Sequence, residues 1–299
     1  QGIHKASKRI MFVSDNTLKS AKNYFYERLD SRFSTTEIKS MWTQLICKRM
    51  NWSSSDLLLN QGERLSESDL LYVRSFVKGL MNDVPFQYLV GETDFYGLSI
   101  SCDSRALIPR PETEELVAWI IETNAHPKRI IDCCTGTACI ALALKAAYPN
   151  ANVQALDYSK DALDLSAENA KKLNLDLELI HEDALHFSER FLSEANEYDI
   201  IVSNPPYIPE QEKSTMSAHV LEHEPSMALF VDDQDPIIFY KELIKFADLK
   251  LVEGGFLFFE LHELYGEEVK EYLQLFEFEK IEIRKDLQGK SRMLKAQKV

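Results

Sequence analysis

Residues 129–157 read RIIDCCTGTACIALALKAAYPNANVQALD, and this stretch decides the fold. RIIDCC is an apolar run of strand length, GTACIALALKAAYP is apolar over the length of a helix, and VQALD is a second strand-length run ending on an acid. Strand, helix and strand joined by short turns make a βαβ unit, in which the strands lie parallel and both faces are covered. The pattern continues outward. PETEELVAWIIET reads as a preceding helix with Pro111 in its first turn and acids following, the favourable end for both. Downstream, KDALDLSAENAKKLN reads as a helix, LELIH and YDIIVS as strands, 237–249 as a helix and GFLFFEL as a fifth strand. KIEIR and SRMLKAQ read as a terminal pair that closes the sheet.

The rest of the chain differs in period. LKSAKNYFYERLD, TEIKSMWTQLICKRM and SESDLLYVRSFVKGLM repeat apolar residues at helical spacing, with Ser66 and Thr36 at expected caps. In VPFQYLVGETDFYGLSISCDSRALI, the segments FQYLVG and TDFYGLSIS read as short strands turning at glycines. The expected organisation is a helical domain over 1–83, a β-hairpin connector over 84–108 and an α/β domain over 109–299. At 299 residues the chain has length for two domains, and 45% hydrophobic with 27% charged residues is the mixture of a globular protein rather than a disordered or fibrous one. No apolar run spans a membrane, and QGIHKASKRIMFVSDN lacks the apolar core of a signal peptide. Five irregularly spaced cysteines make no disulfide framework, so the cytoplasm is the expected location.

The net charge of −14 argues against a general affinity for nucleic acid. Its distribution is uneven: residues 1–60 hold ten Lys/Arg and five Asp/Glu, whereas 181–240 hold two and thirteen. The two ends are therefore expected to meet different surroundings, although a basic head of this size also suits an ordinary solvated surface.

Two segments carry chemistry. Asp132-Cys133-Cys134-Thr135-Gly136-Thr137-Ala138 joins the first strand to its helix, where backbone N–H groups approach a ligand. One glycine does not make the G-x-G-x-x-G dinucleotide fingerprint. Asp157 ends the second strand, where a carboxylate can accept both hydroxyls of a ribose or cap the next helix. Asp183 follows the third strand within reach of an adenine edge. Two acids beside the turn suit a nucleoside with a cationic tail, as in S-adenosyl-L-methionine, better than a diphosphate such as NAD. Cys133, Cys134 and Cys139 lack zinc-site spacing and read as small apolar filling, and His181, His186, His219 and His223 match no ligand set. No metal is expected.

Asn204-Pro205-Pro206-Tyr207 directly follows YDIIVS. Two prolines stiffen the backbone and remove two N–H groups. The Asn204 oxygen and the Pro205 carbonyl can then both accept from one planar NH₂ group, with the Tyr207 ring against its π system. Such a site holds an amide or an arylamine.

With these motifs the chain resembles the protein-glutamine N5-methyltransferases that modify peptide-chain release factors. The resemblance runs nearly end to end, through VPFQYLVGETDFYGLSI, LIPRPETEELV, DCCTGTACIALAL, ALDYS, VSNPPYIP, HEPSMAL, GGFLFFE and KDLQGKSR. NPPY alone is shared with DNA adenine N6-methyltransferases; the helical amino-terminal region and IPRPETE narrow the match. The resemblance implies a Rossmann-like class I fold with a mostly parallel seven-stranded sheet and a terminal antiparallel strand. It implies that Asp132 and residues 134–138 (Cys134, Thr135, Gly136, Thr137, Ala138) surround the methionine part of S-adenosyl-L-methionine. Asp157 would take the ribose, Asp183 and Ala184 the adenine, and Asn204 both donor and target amide. Pro205, Pro206 and Tyr207 would complete the clamp, with Arg110, Glu112 and Glu224 at the substrate mouth. The substrate implied is the glutamine of the Gly-Gly-Gln loop in a class I release factor, another part of which the helical domain would grip.

The chain departs from the family pattern at Cys134 and Ala138, which replace glycines of G-x-G-x-G, and at His262, which replaces a glycine after the fifth-strand glutamate. Cys134 is expected to be the awkward substitution, Ala138 a harmless start to the helix, and His262 remote from the motif. Two alternatives stand beside this reading. One is an adenine N6-methyltransferase, opposed by the acid excess near NPPY; the other is a non-enzymatic release-factor or ribosome-binding adaptor, opposed by the intact NPPY and Asp157.

Overall fold

The computed structural model describes residues 13–123, 126–193, 195 and 197–299. The first twelve residues, with their share of the basic excess and of the leader reading, lie outside the described residues. Contacts divide the chain into two compact units, one ending at Val90 and the other running Gly91–Val299.

The first unit is helical: α1 Leu18–Leu29, α2 Thr35–Met50, α3 Ser54–Leu59, α4 Glu67–Met81 and α5 Phe86–Val90. Phe25, Trp42, Leu45, Val73 and Phe76 form its centre, with the Phe25 and Trp42 rings 5.4 Å apart. Ser34, Ser53 and Ser66 each close a reciprocal capping box, with Glu37, Asp56 and Asp69. The cap of α2 is thus Ser34 rather than Thr36, because only Ser34 has an acid three residues on to return the hydrogen bond. FQYLVG is also not a strand. Phe86, Leu89 and Val90, at i, i+3 and i+4, pack against the core of this unit, and Leu89 N–H donates to the Pro85 carbonyl. That burial pattern requires α5 to be a helical turn.

The second unit begins with the antiparallel hairpin β1 Glu92–Phe95 and β2 Leu98–Ser101, turning at Tyr96-Gly97. Then follow α6 Pro111–Glu122, β3 Arg129–Cys133, α7 Cys139–Ala147, β4 Asn152–Asp157, α8 Lys160–Leu173, β5 Glu178–His181, α9 Glu189–Ser193 and β6 Tyr198–Ser203. A two-residue parallel pair, β7 Ile208–Pro209 and β8 Phe230–Val231, brackets α10 Ala218–His223. The chain closes with α11 Ile238–Lys250, β9 Leu251–Glu260, α12 Gly266–Leu273, β10 Phe278–Lys285 and β11 Ser291–Lys298.

The large sheet has seven strands in the order β10-β11-β9-β6-β3-β4-β5. β5, β4, β3, β6 and β9 run parallel, and β11 is antiparallel to both β9 and β10, between which it lies. This is the expected α/β class, with a buried core on each face of the sheet. The strand order reverses between β3 and β6, the position at which open α/β sheets leave a crevice beyond their carboxyl ends. Among the described residues no helix is long and apolar enough to cross a membrane.

Candidate active site

Register brings the site together. Cys133 pairs with Leu156 on one side and Ser203 on the other, and Ser203 pairs with Phe259. One residue further, Cys134, Asp157, Asn204 and Glu260 stand abreast at the carboxyl ends of β3, β4, β6 and β9. Ser203 Oγ donates to the Cys133 carbonyl at 2.6 Å and ties the two central strand ends together.

Above these ends lies a cavity of about 420 Å³. Cys134, Thr135, Gly136 and Thr137 line it from the turn, Asp157 from β4, Asp183 and Ala184 from the loop after β5, and Asn204 and Pro206 from the loop after β6. Arg110 forms another part of the wall, as do Pro225 and Met227.

The turn is held from below and from the side. Thr135 N–H donates to the Leu156 carbonyl, Gly136 N–H to Asp157 Oδ2 at 2.9 Å, and Ser166 Oγ to the Gly136 carbonyl. Asp157 Oδ1 accepts from Ser159 N–H at 2.9 Å. Each Asp157 oxygen thus retains lone-pair capacity while the side chain is locked. Burial pushes its carboxyl above the ordinary range, against the pull of the Gly136 and Ser159 N–H groups. The cap of α8 is Ser159, which accepts from Ala162 N–H, so Asp157 remains available to a ligand. Asp183 is fixed in the same way by Leu185 N–H.

Cys134, Gly136 and Ala138 all have left-handed backbones, with φ of 59°, 57° and 62°. The expectation for Ala138 is therefore corrected: it is the cap of α7, not its first helical residue, and it carries the same strain as Cys134. The turn keeps the geometry of three glycines with two β-carbons in place, at a cost of roughly 1–2 kcal/mol each. Burial raises the Cys134 thiol well above its ordinary value, so it is a neutral filler. Among the described residues no group of three or more His, Cys, Asp or Glu is placed to hold a metal ion.

Several expected site residues lie outside the lining. Asp132 is wholly buried beneath the turn, where Oδ2 accepts from Thr135 Oγ1 at 2.5 Å and from Ala141 N–H. Its Oδ1 has no partner among the described residues, and burial pushes its carboxyl up to about 7. Glu224 is a latch behind the wall: its side chain is fully buried, accepting from Arg110 Nη2 at 2.5 Å and Ile108 N–H at 3.1 Å. Glu112 is not part of the lining and accepts from Gln288. Pro205 is buried, and the Tyr207 hydroxyl donates to Glu260 Oε1 at 3.0 Å.

Two residues of this neighbourhood, Thr113 and Glu260, were not singled out as site residues from the sequence, and a third, His262, is nearer than expected. Thr113 donates to Glu260 Oε2 at 2.6 Å and accepts from Asn204 Nδ2 at 3.3 Å. Glu260 receives both Thr113 and Tyr207. His262, expected to be remote, meets the Tyr207 ring edge-on at 6.0 Å and lies 4.9 Å from the Tyr265 ring. The acid ending an apolar strand, GFLFFE, was the available signal for Glu260.

The cavity fits an adenosyl sulfonium donor. It offers two fixed carboxylates with spare acceptor capacity, and the two arginines on its wall are already engaged, Arg105 by Asp103 and Glu168 and Arg110 by Glu224.

Replacing Cys134 by Gly should relieve the left-handed strain while adding freedom to the unfolded chain. The unfolding free energy should stay unchanged or rise by up to about 1 kcal/mol in urea denaturation. A loss larger than that would mean that thiol packing outweighs the strain.

Asp132 gives a pH-dependent prediction. An unfolded aspartate titrates near about 3.9, so between there and about 7 the folded state retains a proton that the unfolded state has lost. The wild type therefore loses stability as pH rises through this window. Asp132→Asn, which never ionises, should gain on the wild type by roughly 2–3 kcal/mol between pH of about 5 and about 8, measured by urea denaturation at both. A difference independent of pH would place the Asp132 titration elsewhere.

Comparison with known proteins agrees with this geometry. Residues 113–230 match the methyltransferase small domain family, and residues 23–91 match the PrmC N-terminal domain. The chain is 37% identical over 283 residues to the release factor glutamine methyltransferase of Flavobacterium psychrophilum, covering 93% of this chain and 98% of that protein. It is 33% identical to that of Bacteroides thetaiotaomicron, covering 91% and 97%, and 38% identical to that of Streptococcus pneumoniae, covering 82% and 86%. With its seven-stranded sheet and the residues of its strand ends, the chain belongs to the family of release factor glutamine methyltransferases.

Proposed function

We propose that this protein transfers a methyl group from S-adenosyl-L-methionine to the side-chain amide nitrogen of the glutamine in the Gly-Gly-Gln loop of class I peptide-chain release factors. The observation that carries the proposal is the position of Asn204. It stands at the end of β6, on the wall of the cavity that Asp157 and Asp183 also line.

Asp157 would hold the ribose hydroxyls, Asp183 and Ala184 the adenine, and the 134–138 turn the methionine part. When bound, the donor supplies an electrophilic methyl group on a sulfonium. An amide nitrogen is a poor nucleophile because its lone pair is shared with the carbonyl. The protein's task is to orient that nitrogen and to favour the positive charge it gains. The glutamine NH₂ would donate to Asn204 Oδ1 and to the Pro205 carbonyl, with Pro206 and the Tyr207 ring closing the clamp. These acceptors are fixed before reaction, so their benefit comes from orientation and preset dipoles. The nitrogen gains the methyl group and gives up one proton, which passes to water, since the motif contains no base.

Arg110 and Glu224 would shape the mouth through which the loop enters, Glu224 by holding Arg110 rather than by touching substrate. The helical domain, 1–83, would grip another part of the release factor, with 84–108 as connector and 109–299 as the catalytic domain. None of the five cysteines is in a disulfide among the described residues, in keeping with a cytoplasmic protein.

Asp157→Ala should lower donor affinity at least about tenfold in calorimetry while the fold survives, since it removes charge-assisted hydrogen bonds. Unchanged affinity would refute the ribose assignment. Asn204→Ala should slow single-turnover methylation of intact release factor by roughly a hundredfold at saturating donor, with little change in release-factor affinity. A rate within about threefold of wild type would remove the clamp from the mechanism.

A further inference from the structure

We propose that Glu260, acting through Thr113, fixes which way round the Asn204 amide stands, and so keeps its oxygen rather than its NH₂ turned to the substrate. This rests on the reading of Asn204 as the amide clamp.

Donor and acceptor capacity decides the orientation. Glu260 is 2% exposed at the end of β9, and its two oxygens receive one hydroxyl each: Thr113 at 2.6 Å and Tyr207 at 3.0 Å. An ionised carboxylate only accepts, so both hydroxyls must donate. The Thr113 hydroxyl has a single hydrogen, and the short contact to Glu260 consumes it. Its oxygen can then offer only lone pairs to its other neighbour, Asn204, at 3.3 Å. Only the NH₂ of Asn204 can satisfy those lone pairs, which leaves Oδ1 on the other arm of the amide. The two ends of an amide are nearly equal in shape, so packing alone would not choose between them. A buried negative charge two hydrogen bonds away does. The same carboxylate anchors the Tyr207 hydroxyl, so one side chain sets both polar groups of the NPPY motif. Thr113 in turn is presented by the first turn of α6, which gives the threonine of RPETE a direct part in the site.

Protonation of Glu260 would undo this selection. A protonated carboxyl can donate to Thr113, whose own hydrogen is then free to turn to Asn204, and the reversed amide becomes equally good. Burial raises the Glu260 carboxyl above its ordinary range, opposed by the Thr113 and Tyr207 hydrogen bonds and the charge of Arg292, and helped by Glu112. Tyr240, whose hydroxyl donates to the Glu260 carbonyl, and Cys139 also face it, and neither adds charge at neutral pH. Methylation should therefore fall as the pH is lowered and Glu260 takes up its proton, a step that burial moves upward in pH.

The test is single-turnover methylation of intact release factor at saturating donor, with donor affinity by calorimetry and KM for release factor measured in parallel. Glu260→Gln and Thr113→Val should each lower the rate at least about tenfold, with donor affinity and KM within about twofold of wild type. Thr113→Ser, which keeps the hydroxyl, should return the rate to within about threefold. The acid limb of the pH–rate profile should be absent from Glu260→Gln. Thr113→Val within about twofold of wild type, no rescue by Thr113→Ser, a loss confined to affinity or KM, or an acid limb that persists in Glu260→Gln would each overturn the proposal. The Thr113 pair decides even if Glu260→Gln does not fold. Asn204→Ala at full rate would instead overturn the clamp itself, whereas its loss alongside a silent Thr113→Val would overturn only the orienting role.

Discussion

The common ending of β3, β4, β6 and β9 is the constraint on which the site depends. Parallel strands are held in register by evenly spaced backbone hydrogen bonds, and a slip of one residue in any of them would turn its side chains to the other face. The pairs Cys133–Leu156, Cys133–Ser203 and Ser203–Phe259 fix that register. Cys134, Asp157, Asn204 and Glu260, distant in sequence, therefore occupy one rim. The strands below are mostly buried and largely apolar, with buried exceptions such as Asp132 and Gln154, so this rim is where most polar groups can be placed without interrupting the core.

Acids taken out of water do much of the organising there, and each is managed differently. Asp157 keeps capacity for a ligand after accepting two N–H groups. Glu224 is consumed by Arg110 and the Ile108 amide and serves as a latch. Glu260 is consumed by two hydroxyls, whose direction it dictates. Asp132 is wholly buried, which is why its proton is held to about 7, and one of its oxygens has no partner among the described residues. Burying a carboxylate is costly unless donors surround it, and the difference in donor supply separates ligand-facing acids from structural ones.

The turn above β3 shows how far backbone geometry can outlast the residues that usually favour it. Its left-handed positions persist at Cys134 and Ala138 because hydrogen bonds from Thr135 to Leu156, Gly136 to Asp157 and Asn169 to the Thr137 carbonyl hold the loop on several sides. Local strain survives where tertiary contacts over-determine the conformation.

Local pattern alone determined the alternation of strands and helices, the helical first unit, the β3–α7 turn, Asp157 at a strand end and the rigid Asn204-Pro205-Pro206-Tyr207 segment. Those features depend on periodicity, proline geometry and neighbours within a few residues. FQYLVG misled because a short apolar run suits both periods, and only packing of Phe86, Leu89 and Val90 on one side makes it a helix. Tertiary structure alone decided that Glu112 accepts from Gln288, that Glu224 is buried against Arg110, and that His262 meets Tyr207. It alone also joined Thr113 to Glu260 across 147 residues of sequence separation and to Asn204 across 91. A hydroxyl, an acid and an amide that far apart leave no joint periodicity; their relation exists only once the sheet register and the seat of α6 bring them within hydrogen-bond reach.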